Sequence, residues 1–145
     1  MRFLIVDDDL YCRELLKAIF SSYGSCDLAI DGSEALSHFR RALDEDQVYD
    51  VIFLDVVMPG LSGLETLDCI RQIERSYNIH GSKRTKVLII TGFNDPKISI
   101  RTFQKDCESY LAKPFTPQQI LSIVREMSDE IQSLPARKDK AESLS

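Results

Sequence analysis

Apolar runs of strand length alternate along this chain with longer segments of helical period, and few architectures accept that alternation. The strand candidates are Phe3–Val6, Cys26–Ile30, Val51–Leu54, Val87–Ile90 and Ser109–Ala112. Their near-continuous Val, Ile, Leu and Phe content suits strands covered on both faces, as in a parallel sheet. Between and after them run five helical stripes. The first is Leu15, Leu16, Ile19, Phe20 and Tyr23, and the second Ala35, Leu36, Phe39, Ala42 and Leu43. The third is Leu64, Leu67, Ile70 and Ile73; the fourth, around Pro96–Lys105, carries Ile98, Ile100 and Phe103. The fifth carries Ile120, Leu121, Ile123, Val124, Met127 and Ile131. Five alternating β and α units predict an α/β domain, with one parallel sheet and helices on both faces.

Helix starts carry capping chemistry. Ser62 and Glu65 form a capping box, in which each side chain satisfies a free backbone N–H of the other end. Asp31 with Glu34 is a weaker version, and Asp9 reads as the N-cap of the first helix. Asp95-Pro96 and Thr116-Pro117 each place a cap before a proline at the first helical position, and Gln119 completes the second of these as a box.

At 145 residues the chain has the length of one domain. The domain is expected over residues 1–133, and the polar stretch 134–145 is expected to be a flexible tail too short for an output domain. The net charge of −5, without a long basic tract, argues against nucleic-acid or membrane partners. Even Val87–Ile90 is far too short to span a bilayer, and the acidic triplet Asp7-Asp8-Asp9 ends any signal-like run. Cys12, Cys26, Cys69 and Cys107 lack the C-x-x-C spacing of zinc or redox sites and read as small core hydrophobes. A reduced, cytoplasmic setting is therefore expected.

The residues that break the apolar pattern fall in one place. Asp7 and Asp8 follow the first strand, Asp55 ends the third, Thr91 follows the fourth and Lys113 the fifth. All stand at carboxyl ends of strands, the edge where open α/β sheets hold their ligands. If the strand order is 2-1-3-4-5, the first and third strands are neighbours and the three carboxylates meet. Such a cluster requires either a protonated acid with a raised pKa or a neutralising cation. Hard oxygen donors favour Mg²⁺. Lys113 supplies a point charge, and Thr91 a hydroxyl, suited to a phosphate oxygen. A carboxylate nucleophile with a divalent metal and a lysine can form an aspartyl phosphate. Asp55 is the natural nucleophile, Asp8 the direct metal ligand, and Asp7 a ligand through water.

These residues resemble the response-regulator receiver domain of two-component signalling. The resemblance rests on Phe3-Leu-Ile-Val-Asp7-Asp8, Asp50-Val-Ile-Phe-Leu-Asp55-Val-Val-Met-Pro-Gly60, Leu88-Ile-Ile-Thr91-Gly92 and Tyr110-Leu-Ala-Lys113-Pro114-Phe115. It implies a flavodoxin-like, doubly wound (βα)5 fold with a five-stranded parallel sheet in the order 2-1-3-4-5. It implies phosphorylation of Asp55 by a sensor histidine kinase or a histidine phosphotransfer protein. Mg²⁺ is assigned to Asp8, Asp55 and the backbone carbonyl of Val57, with Asp7 in support. Thr91 and Tyr110 become the switch pair, a shift between two packings rather than a new fold. The surface affected would be the fourth and fifth helical segments with the fifth strand, offered to a downstream protein target. The same resemblance makes Lys113-Pro114 a cis peptide. Monomer and phosphorylation-dependent dimer both stay open.

Two departures from the common pattern stand out. The segment Ser76–Lys86 is longer than usual and is expected to be a solvated loop, with a partner contact as the alternative. Val57 and Phe93 occupy the places that flank the path of hydrolytic water by resemblance, and both are apolar. Slow autodephosphorylation is therefore expected. His38, expected on an exposed helix face, and His80 in the long segment lack a partner pattern for catalysis or metal binding. The leading expectation is a stand-alone phosphoacceptor switch and not a turnover enzyme. A receiver cut from a longer regulator or hybrid kinase is one alternative, and a receiver that has lost phosphorylation is another. A phosphatase of the haloacid-dehalogenase type is a further one, disfavoured because Val57 occupies the place of its second acid. An FMN carrier is disfavoured because Asp7-Asp8-Asp9 would repel the phosphate.

Overall fold

The computed structural model describes residues 1–58, 60–92 and 107–128. The fourth helical stripe around residues 96–105, the cap at Asp95, Phe93, Ile131 and the tail 134–145 lie outside the described residues. The first apolar run forms β1 (Arg2–Val6), followed by α1 (Leu10–Phe20), β2 (Ser25–Ala29) and α2 (Gly32–Asp44). Next come β3 (Val51–Asp55), α3 (Gly63–Ser76), a 3-10 turn (Gly81–Lys83), β4 (Lys86–Thr91), β5 (Ser109–Ala112) and α4 (Pro117–Met127). All neighbouring strands pair in parallel, in the order β2-β1-β3-β4-β5. The order reverses at β1, so β1 and β3 lie side by side with Val6 opposite Leu54. The carboxyl ends of both strands thus open into one crevice.

Period-two alternation splits each central strand between two cores. Leu4, Val6, Ile52, Leu54, Val87 and Ile89 face α2 and α3, where Leu36, Phe39, Leu67 and Ile70 cover them. Phe3, Ile5, Val51, Phe53, Leu88 and Ile90 face α1 and α4, meeting Leu16, Phe20, Ile120 and Val124. Phe3, Phe20 and Phe53 pack with ring centroids 4.7–6.0 Å apart, which fastens α1 to the sheet. β1, β3 and β4 are thus covered on both faces, and the closing residues Asp55 and Thr91 are buried with them.

Capping follows the sequence. Asp9, Asp31, Ser62 and Thr116 are the N-caps of α1 to α4, and the boxes Ser62–Glu65 and Thr116–Gln119 are both complete. Gly63 has a more specific reason to be glycine. A Cβ there would stand 2.1 Å from the carbonyl oxygen of Asp55, so only glycine lets α3 begin against the end of β3. The Gly63 N–H donates to the Val56 carbonyl at 3.0 Å across that junction.

Three expectations need correction. β2 runs from Ser25 and stops at Ala29; Ile30 lies beyond it, half-exposed, because the ladder with β1 ends at Val6. His38 is half-buried rather than on an exposed face, with its Nδ1 3.1 Å from a guanidinium nitrogen of Arg41. The segment Ser76–Lys86 is not merely a solvated loop. His80, Gly81, Ser82 and Lys83 are exposed, but Thr85 is buried and Arg84 reaches Glu108 at 3.5 Å.

Behind that segment lies a buried charge network. Arg71, 4% exposed, donates to Glu74 at 2.7 Å, to the Thr85 carbonyl at 2.9 Å and to Glu108 at 3.1 Å. Glu74 accepts in turn from the Thr85 N–H at 2.7 Å, and Glu108 from the Val87 N–H at 2.5 Å. The network ties α3 to the starts of β4 and β5. Truncating one member strands the rest, so Glu74→Ala is expected to cost about 3–5 kcal/mol in urea unfolding. Glu74→Gln, which can still accept from Thr85, is expected to cost less; an equal or negligible loss in both would contradict this role.

Candidate functional site

The crevice is built from strand ends and the turns that leave them. Asp7 follows β1 directly, and its side chain is held from two sides. One oxygen accepts from the Asp9 N–H at 2.9 Å, and the other from the Lys113 ammonium at 2.8 Å. Arg13, one helical turn into α1, donates to the Asp7 backbone carbonyl at 2.7 Å. Asp55 ends β3 with only 5% of its surface exposed. One of its oxygens accepts from the Val57 N–H at 3.2 Å, and the other lies 3.8 Å from the Lys113 nitrogen. Asp8 is exposed at the mouth. Carboxylate oxygens of Asp7, Asp8 and Asp55 all lie within 4.8 Å of one another.

The electrostatics follow from burial and crowding. Asp55 is pushed up from 3.8 to about 7, chiefly because burial penalises its charge and then because Asp7 repels it. Burial works in the same direction on Asp7, but the Lys113 ammonium, the Cys12 thiol and the Asp9 amide together hold it below its usual value. Burial would lower Lys113, yet Asp7 and Asp55 raise it. Cys12, buried under the crevice, is pushed up to about 12 by burial and by Asp7, so it stays a thiol. The pocket thus holds three acids against one lysine, and Asp55 bears the unfavourable balance. A hard cation is the chemistry that would relieve it.

Thr91 ends β4, is 1% exposed, and its carbonyl accepts from the Lys113 N–H at 2.7 Å. Tyr110 sits in β5 opposite Ile89, half-buried against the α2–α3 core. Lys113-Pro114 is a cis peptide. Val57, beside Asp55, is 48% exposed. Asp7, Asp8, Asp55 and Lys113 therefore meet in one crevice, with Thr91 at the adjoining strand end. The supporting contacts of Cys12 and Arg13 to Asp7 are absent from the sequence reading. Their signal is the spacing: both lie one helical turn after the Asp9 cap, where α1 faces back toward β1.

Comparison with known proteins agrees with this architecture. A family model described as "Response regulator receiver domain" matches residues 3–125. The transcriptional regulatory protein DltR of Streptococcus agalactiae is 27% identical over 126 residues, covering 86% of this chain and 50% of that protein. The chain spans about half the length of several curated relatives it matches. Among solved structures, the Vibrio cholerae chemotaxis protein CheY4 aligns with a TM-score of 0.74 and 26% identity, covering 88% of this chain and 98% of that one. The CheX–CheY–BeF3–Mg complex from Borrelia burgdorferi aligns with a TM-score of 0.73 and 25% identity, covering 87% of each chain.

Proposed function

Because the chain belongs to the response regulator receiver domain family, we propose that it is a phosphorylation switch with Asp55 as the phosphoacceptor. The observation that carries this reading is the buried Asp55 carboxylate, grouped with Asp7 and Asp8 and faced by Lys113. Its donor is a phosphohistidine of a sensor histidine kinase or a histidine phosphotransfer protein. An Asp55 oxygen attacks phosphorus, the phosphorus–nitrogen bond breaks, and the electron pair leaves on the imidazole. Asp8, Asp55 and the Val57 carbonyl, supported by Asp7, would hold Mg²⁺, which neutralises charge on the phosphoryl oxygens when bound. Lys113, already poised between Asp7 and Asp55, supplies a fixed positive charge to the same oxygens.

The readout is carried by Thr91 and Tyr110. The Thr91 hydroxyl is drawn to a phosphoryl oxygen, and the Tyr110 ring moves inward into space the threonine vacates. The result is a population shift on the β5 side of the sheet, read by a downstream protein target. We place the receiver domain at residues 1–133, with 134–145 as a tail, and the protein in the cytoplasm. Among the described residues no helix is long and apolar enough to cross a membrane.

A long-lived phosphorylated state is expected because the apolar Val57 side chain, exposed two residues after Asp55, offers no donor or acceptor to a hydrolytic water. Protein loaded with a small acyl phosphate and then freed of donor is expected to lose its phosphoryl group slowly, as followed by intact mass. Val57→Asn, whose amide can hydrogen-bond a water, is expected to shorten that lifetime. If no phosphorylated species forms, the proposed switch fails; if Val57→Asn decays at the wild-type rate, the role given to Val57 fails.

A further inference from the structure

Three acids crowd the crevice, but only Asp8 among them is exposed, so packing does not aim its side chain. On the reading that Asp8, Asp55 and the Val57 carbonyl hold Mg²⁺, we propose that Arg13 is a positioning residue for that metal. By clamping the Asp7 carbonyl it holds the peptide from which Asp8 presents its carboxylate.

Asp8 lies between two peptides that are tied from different directions. The first joins Asp7 to Asp8, and its carbonyl accepts from an Arg13 guanidinium N–H at 2.7 Å. The second joins Asp8 to Asp9, and its N–H donates to an Asp7 carboxylate oxygen at 2.9 Å. Each peptide is planar, so holding both planes sets the backbone angles of the residue between them. Asp7 is itself anchored. Its N–H donates to the Ala29 carbonyl at 3.1 Å, and its other carboxylate oxygen accepts from Lys113 at 2.8 Å. The direction of the Asp8 side chain is thus inherited from Asp7 and Arg13. Mg²⁺ demands near-ideal octahedral geometry, so a small misdirection of one ligand is felt.

The start of α1 places Arg13 for this task. Asp9 caps the helix by accepting from the Tyr11 N–H at 3.2 Å, and the Arg13 N–H donates to the Asp9 carbonyl at 3.1 Å. Arg13 therefore stands one turn beyond the cap. Helical side chains lean toward the N-terminus, which carries the half-buried guanidinium back over the Asp7–Asp9 turn. Three carboxylates stand in that turn, and the bond made is to a backbone carbonyl. The charges that act on Asp7 and Asp55 are those of Lys113 and, for Asp55, of Asp7. Arg13 thus works on the site through the backbone and not as a counter-charge. The two modes of action differ in sign. Removing a positive charge near a cation site strengthens cation binding if charge is what counts. Removing a bond that positions a ligand weakens it, typically by ~10–100-fold.

The test is an amide-resolved NMR titration of the full chain with magnesium chloride. In the wild type, saturable shifts centred on Asp8, Asp9 and Val57 are expected. Arg13→Met keeps the apolar stem and a good helix former, and is expected to raise the Mg²⁺ midpoint about tenfold. Arg13→Gln, which shortens the reach to the carbonyl, serves in its place with the same expectation if Arg13→Met does not fold. Arg13→Lys keeps one donor and is expected to recover most of the affinity. Lys17→Met removes the same charge from the exposed side of α1 and is expected not to raise the midpoint. A second readout separates positioning from general damage. With a small acyl phosphate, the Mg²⁺ needed for half-maximal phosphorylation of Arg13→Met is expected to rise by the same factor, while the rate at saturating Mg²⁺ stays within about twofold of wild type. A midpoint in Arg13→Met equal to or tighter than wild type overturns the role of Arg13. So does a lower saturating rate with an unchanged Mg²⁺ requirement. A wild type without saturable shifts at Asp8 and Val57 overturns the metal site itself, and this role with it.

Discussion

Asp55→Asn is expected to make the metal-free protein more stable at pH 8 while leaving it nearly unchanged at pH 4. The native Asp55 carboxyl is raised to about 7 by burial and by Asp7, against 3.8 for the same group in water. Between those values the native state holds a proton that the unfolded chain has released. Stability therefore falls as pH rises through that window, because deprotonation in the fold must overcome burial and repulsion. That displacement corresponds to a cost on the order of a few kcal/mol by pH 8. Asparagine carries no charge, so the cost disappears, and its side-chain oxygen can still accept from the Val57 N–H. Asp7 does not mask the effect. Its pKa is held below 3.8, so its contribution is lost only as pH falls beneath that value. Urea unfolding in a chelator at pH 4, 6 and 8 measures the difference. Added Mg²⁺ is expected to stabilise the wild type and to leave Asp55→Asn much less affected. A variant that tracks the wild type at every pH would show that Asp55 bears no excess charge burden.

The legibility of this protein in its sequence was uneven, for physical reasons. Burial on both faces makes β1, β3 and β4 nearly pure Val, Ile, Leu and Phe, so their positions and parallel pairing follow from composition. Polar residues that close such strands at their carboxyl ends lie along one edge of a parallel sheet. That is why Asp7, Asp8, Asp55, Thr91 and Lys113 group together on the sequence alone. Tyr110 had no such signal: an aromatic in an edge strand is ordinary, and its switch role came from resemblance alone. The edge strand β2 was harder to bound, since Asp27 within it and Ile30 beyond it reverse the expected pattern. Asp27 is a strand residue because it serves Arg2 at 3.0 Å and the Tyr49 hydroxyl at 2.5 Å.

The charge network around Arg71 was invisible for a different reason. Arg71 and Glu74 interleave with Ile70 and Ile73, and a pair spaced three apart on a helix normally reads as a solvated face. What buries it is Glu108, 37 residues away from Arg71 in the chain. No local period encodes that contact. The same blindness made Ser76–Lys86 look like plain loop, whereas Thr85 and Arg84 close over the network.

Loss of phosphorylation in Asp55→Asn is the largest effect expected of any substitution in this protein, because it removes the acceptor atom itself. Lys113 and the Val57 N–H point at the Asp55 oxygens, while Asp7 is already saturated by Asp9 and Lys113. Asp8, exposed and at the mouth, has no comparable burial to make it a nucleophile shielded from water. Asp7 is equally buried and nearer to Lys113, but both of its oxygens are already engaged, so it is not expected to take over as acceptor. The direct measurement is intact mass after incubation with a small acyl-phosphate donor, with and without Mg²⁺, on the wild type and on Asp55→Asn. The account predicts a Mg²⁺-dependent gain of a single phosphoryl group in the wild type and none in the variant. An equal gain in Asp55→Asn, or a gain indifferent to Mg²⁺, would contradict it.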